Sequence, residues 1–193
     1  MALKIISGLA RGIMLDTPAD RSMRPTSGRA REALFSSLGD ISGMSFADIF
    51  AGSGAIALEA ASRGAEKATL LECNPQHVKL IENNAAKLRK AGFNGSLEII
   101  RRKVSVGALM TLPIHDIWFF DPPYAESARF FGELAASENF RTLLGDSLMI
   151  WEMPDSSADK APFGNIISSV SGFMECRKRT LGNVDFLFCQ VRN

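Results

Sequence analysis

The stretch Ser45–Gly64 reads SFADIFAGSGAIALEAASRG. An apolar run (45–50) gives way to Ala51-Gly52-Ser53-Gly54, then to a helix-forming segment (55–64) closed by Gly64. This pattern predicts a strand, a tight turn and a helix. Small residues in the turn let a ligand approach backbone N–H groups at the start of the helix.

The alternation continues outward. Strands are predicted over 67–72, 97–100, 116–120 and 147–153, and helices over 75–92, 106–112 and 126–137. Pro75 lies early in its helix and Gly92 just past the end, as helix termini favour. Strands alternating with helices predict an α/β fold, a parallel sheet covered on both faces. The tail differs: runs over 167–179 and 184–191 flank Leu181-Gly182-Asn183, which predicts an antiparallel hairpin at the sheet edge. At the front, residues 4–7 and 13–18 read as two short strands around a turn from Gly8 to Gly12. A helix capped by Thr26 or Ser27 then runs to about Leu38. We divide the chain into a small hairpin-and-helix extension, 1–40, and a main domain, 41–193.

At 193 residues and 46% hydrophobic content, the chain suits a globular domain. No apolar run reaches the ~18 residues of a membrane span, and the first residues make a poor secretion signal. Three cysteines (Cys73, Cys176, Cys189) without a CxxC pair, and two histidines, argue against a zinc site or disulfide framework. A reduced, cytoplasmic, metal-free protein is expected. The net charge of +1 hides an asymmetry. Residues 1–31 carry six cations (Lys4, Arg11, Arg21, Arg24, Arg29, Arg31) against Asp16 and Asp20, a net +4, leaving −3 for the rest. A basic front on an acidic body suggests either a docking face for a polyanion or a solvated surface.

The turn after the first body strand is not a dinucleotide fingerprint. Ile56 and Ala57 follow Gly54, so GxGxxG is incomplete, and GxxxxGK[ST] does not occur. A loop with few glycines and an acid, Asp48, just before it suits a ligand with a cationic amino-acid end. The second strand ends at Glu72, 18 residues past Gly54. A carboxylate there can accept hydrogen bonds from both hydroxyls of a ribose. Together these features point to an adenosyl ligand.

The fourth strand ends in Phe119-Phe120-Asp121-Pro122-Pro123-Tyr124. An exocyclic amino group on a base is a poor nucleophile, because its lone pair is delocalised into the ring. A carboxylate (Asp121) and a backbone carbonyl (Pro122) can accept its two hydrogens and stabilise the positive charge that develops as it attacks. The prolines fix φ and add no competing N–H. Tyr124 can stack on an extruded base. Such an amine needs no proton removed first, so His77 and His115 are read as helix-surface and loop residues. Trp118 and Trp151 are read as core.

Asp-Pro-Pro-Tyr in this position resembles the amino-group methyltransferases that use S-adenosylmethionine. Gly8, Arg11-Gly12, Leu15 and Pro18 lead into RPTSGRAREALFSSL (24–38) and then DIFAGSGAIALEAASRGA (48–65). Over nearly the whole length this is similar to the bacterial 16S ribosomal RNA guanine-N2 methyltransferase family, RsmD. The element Arg24-Pro25-Thr26, Arg29, Arg31-Glu32-Ala33-Leu34-Phe35 is specific to that group. The resemblance implies a Rossmann-like class I methyltransferase with a seven-stranded, mostly parallel sheet and an antiparallel C-terminal hairpin. It implies S-adenosylmethionine as cofactor and a guanine of 16S rRNA in a partly assembled small-subunit particle as target. A monomer is expected.

Carried over by position, Asp48, Phe50, Ala51, Gly52, Ser53 and Gly54 would meet the methionine part of the cofactor. Glu72 would meet the ribose and Cys73 would lie along the adenine. Where the family often has an acidic or amide residue near the adenine, this chain reads Arg101-Arg102-Lys103-Val104-Ser105, leaving a backbone contact from Val104. Asp121 to Tyr124 would hold the guanine amine. Arg11, Arg24, Thr26, Arg29 and Arg31 would face the RNA, the arginines against phosphates, which position RNA without reading sequence.

Other readings stay open. Adenine N6 and a protein glutamine amide are planar amino groups served by the same tetrapeptide. The altered 101–105 stretch also admits an RNA-binding assembly factor that does not catalyse.

Overall fold

The computed structural model describes residues 3–18 and 26–192. Among them a seven-stranded sheet forms the centre, in the order β3-β2-β1-β4-β5-β7-β6. Its strands are β1 (Ser45–Ile49), β2 (Lys67–Glu72), β3 (Ser96–Arg101), β4 (Ile117–Phe120), β5 (Leu148–Glu152), β6 (Met174–Leu181) and β7 (Val184–Val191). The first five pair in parallel, and β7 runs antiparallel to both β5 and β6. Central strands are buried along nearly their whole length, which is why β1, β2 and β4 read as continuous apolar runs.

The helices are α1 (Gly28–Leu38), α2 (Ala55–Ser62), α3 (Pro75–Lys90), α4 (Val106–Leu109), α5 (Tyr124–Ala136), α6 (Glu138–Leu144) and α7 (Ser157–Val170). Ser27 caps α1 by accepting from the Ala30 N–H. In α3, Asn74 accepts from Gln76 N–H, Pro75 opens the first turn, and Lys87, Arg89 and Lys90 meet the negative end of the helix.

β1 is the switch point. β2 and β3 build out on one side of it and β4 returns on the other. Ile49 is in register with both Leu71 and Phe120, so the turns after β1, β2 and β4 leave the sheet at one level, side by side. A doubly wound sheet holds its ligand at such a place.

The front of the chain packs into the body. Residues 3–15 form an irregular hairpin with one bridge, Lys4 to Met14, instead of two strands. Ile5 N donates to Ile13 O and Leu15 N to Leu3 O. The hairpin is strapped to α2, all eight residues of which are buried. Glu59 accepts from the N–H groups of Ile6 (2.7 Å) and Ser7 (3.0 Å) and from Arg63 Nε (2.8 Å). Leu9 N donates to the Ser62 carbonyl at 2.8 Å. Gly8, at φ +81°, lies so close that a Cβ there would sit 1.8 Å from the Ser62 oxygen. Leu3, Ile5, Ala10 and Leu15 share a core with Ala57, Leu58 and Ala61, while Ala30, Leu34 and Phe35 share another with Ile56 and Ala60.

On the other sheet face the core is aromatic. Phe120 stacks on Trp151 (5.0 Å between ring centroids), and Phe131 meets both Trp151 and Phe163. Trp118 and Trp151 are fully buried, and their Nε1 groups donate to the His115 carbonyl and Ser127 Oγ.

Three features differ from the sequence reading. Residues 167–170 belong to α7, and the hairpin strand begins only at Met174. α7 forms despite Pro162 because Phe163 and Val170 bury against the core. α6 has no counterpart in the sequence reading; its Phe140 and Leu144 are fully buried. Cys176 and Cys189 face each other across β6 and β7 and are joined as a disulfide, so an all-reduced set of cysteines is corrected. His115 stands in the loop before β4, as expected. It is fully buried, with Nε2 2.8 Å from Thr69 Oγ1 and Nδ1 2.7 Å from the Pro113 carbonyl. Burial lowers its pKa, the expected direction for a desolvated imidazole. Among the described residues, no helix is long and apolar enough to cross a membrane, and no group of three or more His, Cys, Asp or Glu could hold a metal ion.

Candidate active site

The turns after β1, β2 and β4, together with the start of α1, enclose a cavity of about 480 Å³. That lies in the range of small-molecule sites.

The β1 turn supplies Phe50, Ala51, Gly52 and Ser53 to the wall. Phe50 has φ +72°, the one non-glycine residue with a positive φ among those described. A bulky residue in the left-handed region costs roughly 1–3 kcal/mol and persists only where its surroundings enforce it. Here the N–H groups of Phe50 and Ala51 both donate to the Leu71 carbonyl (3.1 Å each), and the Phe50 ring meets Phe130 edge-on at 5.8 Å. Gly54 closes the turn at φ +77° against Leu70 and Ile81, so it shapes the loop without lining the cavity. Asp48 sits just below, 2% exposed, accepting from the Ala57 N–H at 3.0 Å. Burial pushes its pKa up to about 7, the Ala57 hydrogen bond opposes that, and Glu72 and Glu152 add to it.

Glu72 ends β2. Its Oε2 accepts from Gly52 N–H at 2.9 Å, and its Oε1 from Cys73 and Asn74 N–H at 2.8 Å each. Three backbone donors fix this carboxylate in the wall, where its remaining lone pairs can serve a diol. Cys73 also lines the cavity. Desolvation and Glu72 push its thiol pKa up, so it stands there as a neutral S–H.

Asp121, Pro122, Pro123 and Tyr124 line the same cavity from the end of β4. The Asp121 N–H reaches the Ile49 carbonyl at 3.4 Å, tying the β4 turn to the β1 turn. Pro123 caps α5, which starts at Tyr124, two residues earlier than expected, and accepts from the Glu126 N–H at 3.0 Å. Asp121 opens to the cavity on one side and is enclosed by protein elsewhere. Desolvation, then the carboxylates of Glu152, Asp48 and Asp155, hold its carboxyl well above the ordinary range.

The remaining expected site residues separate. Thr26 and Arg31 line the cavity. Thr26 is buried, and its hydroxyl donates to Glu152 Oε2 at 2.7 Å. Arg31 is 1% exposed, which places it out of reach of an RNA phosphate and corrects that assignment. Arg11 and Arg29 are exposed on the surface. Val104 packs against the aromatic core and is absent from the cavity wall. The expectation for Arg24 lies outside the described residues.

The structure adds Ala55, Ile56, Asn74, His77 and Phe119 to the wall. His77 Nδ1 lies 3.8 Å from Glu72 Oε1. The signal for Asn74 and His77 was their place directly after Glu72, because residues following the strand ends of such a sheet are the ones that face the ligand.

These residues fit an adenosyl sulfonium amino acid. An anchored carboxylate suits a ribose diol, the wall offers backbone at small residues, and Asp48 suits a cationic amino-acid end.

Comparison with known proteins identifies the family. The family described as Conserved hypothetical protein 95 matches residues 3–190. The chain is 36% identical over 123 residues to ribosomal RNA small subunit methyltransferase D of Escherichia coli (strain K12), covering 63% of this chain and 60% of that protein. It is 34% identical over 129 residues to the protein of that name from Haemophilus influenzae, covering 63% and 64%. The match thus spans under two thirds of these relatives' length. A solved putative methyltransferase, YhhF, from Escherichia coli superimposes over 100% of this chain and 99% of its own, with a TM-score of 0.70 and 27% identity. A hypothetical protein of Thermus thermophilus does so over 97% and 98%, with a TM-score of 0.68 and 30% identity. The chain belongs to the Conserved hypothetical protein 95 family, that of the RsmD-like methyltransferases.

Proposed function

We propose that this protein transfers a methyl group from S-adenosylmethionine to the exocyclic N2 of a guanine in 16S rRNA, acting as a cytoplasmic monomer on a small-subunit particle. One observation carries the reading. Asp121-Pro122-Pro123-Tyr124 lines the same cavity as the small-residue turn and the Glu72 carboxylate.

The cofactor supplies an electrophilic methyl group on a sulfonium. Glu72 holds the ribose hydroxyls, and Asp48 balances the charge of the amino-acid end. Tyr124 stacks on the extruded guanine, worth roughly 1–3 kcal/mol. The Asp121 carboxylate and the Pro122 carbonyl accept the two amine hydrogens, which favours a pyramidal nitrogen. The new N–C bond would form as the sulfonium C–S bond breaks, its electron pair staying on sulfur in a neutral thioether product, and one N–H proton leaves to Asp121. An aspartate with a raised pKa is suited to receive it. Arg11 and Arg29 are exposed, and in this reading they meet RNA phosphates.

The test is label transfer from S-adenosylmethionine to small-subunit particles lacking the modification, followed by nuclease digestion and mass analysis. N2-methylguanosine is expected. N6-methyladenosine, label in protein, or no label while a control enzyme works would each overturn the proposal.

A further inference from the structure

The sheet carries a second hollow, on the face that α1 covers. About 310 Å³ in volume, it lies between the last turn of α1 and the outer strands, and Ser37, Leu38, Glu175, Arg177, Arg179 and Phe188 line it. Alternate residues of a strand share a face, so Glu175, Arg177 and Arg179 stand in a row along β6, roughly 7 Å apart. Lys178, between the arginines, serves the other face, where its Nζ is 3.7 Å from Asp185 Oδ2. The Arg179 guanidinium lies over the Phe188 ring, 4.9 Å from the centroid. A guanidinium stacked in this way keeps the donors in its plane for an anion. Glu175 is the single carboxylate among the described lining residues, and Arg177 takes it, with Nη2 and Nε 2.6 and 2.7 Å from Oε1. That pair is 71% and 45% exposed, and a pair so open to water yields readily to a competing anion.

β6 links this hollow to the rim of the active-site cavity. The turn between β6 and β7 is packed on the start of α1. Ser27 Oγ donates to Asn183 Oδ1 at 3.2 Å, and a Cβ on Gly182 would meet Ala30 Cα at 3.0 Å. Thr26, the residue before Ser27, lines the cavity. Exposed Arg29 stands at the same turn, its carbonyl carbon 3.3 Å from that Cβ position. From there β6 carries Arg179 and Arg177 away from the cavity, three and five residues from Gly182, roughly 10 and 17 Å.

Resting on the methyl-transfer reading, we infer that the hollow between α1 and β6 is a docking groove for the phosphodiester backbone of the RNA strand that presents the target base, with Arg179 and Arg177 on two of its phosphates. A strand whose base enters the cavity has to continue over the protein surface. Arg29, Arg179 and Arg177 make a cationic path from the cavity rim along which it can do so. The spacing of the two β6 arginines is comparable to that of successive phosphates along one strand. Such contacts fix the register of the RNA and carry no sequence information.

Filter binding of 16S rRNA, free and in small-subunit particles, between roughly 50 and 200 mM salt tests this. Arg177→Gln combined with Arg179→Gln should weaken binding to both about tenfold at the low-salt end. It should also cut the slope of log K against log salt by about 1.4–1.8, the share of two phosphates. The slope is the deciding readout, since a misfolded fraction lowers apparent affinity without changing it. Lysine at both positions keeps the charge and should keep the slope. Arg89→Gln with Lys90→Gln, an equal loss of charge in the last turn of α3, should leave slope and affinity as in wild type. A wild-type slope in the Arg177–Arg179 glutamine variant, or an equal drop in the Arg89–Lys90 variant, overturns the inference and leaves methyl transfer standing. Weaker binding to particles with unchanged binding to free rRNA would assign the groove to a protein of the particle, and overturns it as well. Failure of wild type to bind either RNA overturns both.

Discussion

Asp48→Asn should make the ligand-free protein more stable above neutral pH while weakening its hold on the cofactor. The carboxylate is 2% exposed and its pKa is raised to about 7. An unfolded aspartate titrates near 3.9. The folded state therefore binds this proton more tightly than the unfolded chain does. Stability attributable to Asp48 is greatest below about pH 4, falls as pH rises towards 7, and is flat beyond. Three pH units at 1.36 kcal/mol each give a cost of about 4 kcal/mol above pH 7. Between pH 5 and pH 8 the share is about 3 kcal/mol. Asparagine abolishes the titration and keeps an oxygen for the Ala57 N–H, now held at 3.0 Å. Its amide hydrogens need a partner, so roughly 1–2 kcal/mol of the gain is lost at every pH. Urea unfolding of both proteins at pH 5, 6, 7 and 8 measures this. The difference between them should move in favour of the variant by about 3 kcal/mol across the range. Cofactor affinity at pH 8 should fall at least tenfold, because the ammonium loses its counter-charge (~1.4 kcal/mol or more). Parallel stability profiles would show that Asp48 is not held at a raised pKa and would remove the electrostatic basis of the site.

Three further outcomes are expected. Asp121→Ala should abolish methyl transfer while cofactor affinity stays within about threefold, since a missing acceptor of this kind costs roughly 10²–10³ or more in rate; equal loss of binding and turnover would assign Asp121 a structural role. The rate should rise with pH through the raised pKa of Asp121, because only the ionised carboxylate accepts from the amine, so the ascending limb should lie well above 3.8; a pH–rate profile already flat at pH 5 would refute this. Glu72→Ala strips acceptors from the N–H groups of Gly52, Cys73 and Asn74 and should cost roughly 2–4 kcal/mol of stability. Hydrogen exchange at those three amides should accelerate, and unchanged protection would mean the Glu72 bonds are not what orders the two turns.

Much of the fold was legible because its signals are local. Strands buried on both faces appear as unbroken apolar runs, and α3 announces its ends with Asn74-Pro75 and Gly92. The three turns that make the site were legible for the same reason, since each follows a strand end. What stayed hidden depends on distant neighbours. The segment before residue 167 received no element, yet α7 forms despite Pro162 because Phe163 finds Phe131 5.3 Å away. Arg31 carries the chemistry of a surface residue, and its burial is decided by Lys4 and Glu59, 27 residues before and 28 after it. His115 is likewise settled by Thr69, 46 residues earlier. The cysteine pair was within reach. Gly182-Asn183 forms a two-residue turn, and Cys176 and Cys189 stand equally far from it on either side, so the hairpin register alone puts them opposite each other.

Because α2 has no face left for water, the molecule has no seam at its front. Shearing off the hairpin and α1 would bare Ala57, Leu58 and Ala61 on one side and Ile56 and Ala60 on the other, and would leave Glu59 without its Ile6 and Ser7 donors. The small-residue turn that lines the cavity is continuous with that same rod, one residue before its first turn. A shortened protein that fails to bind RNA would therefore be reporting a collapsed scaffold, and only point changes on the outer surface, at Arg11 or Arg29, can separate recognition from folding.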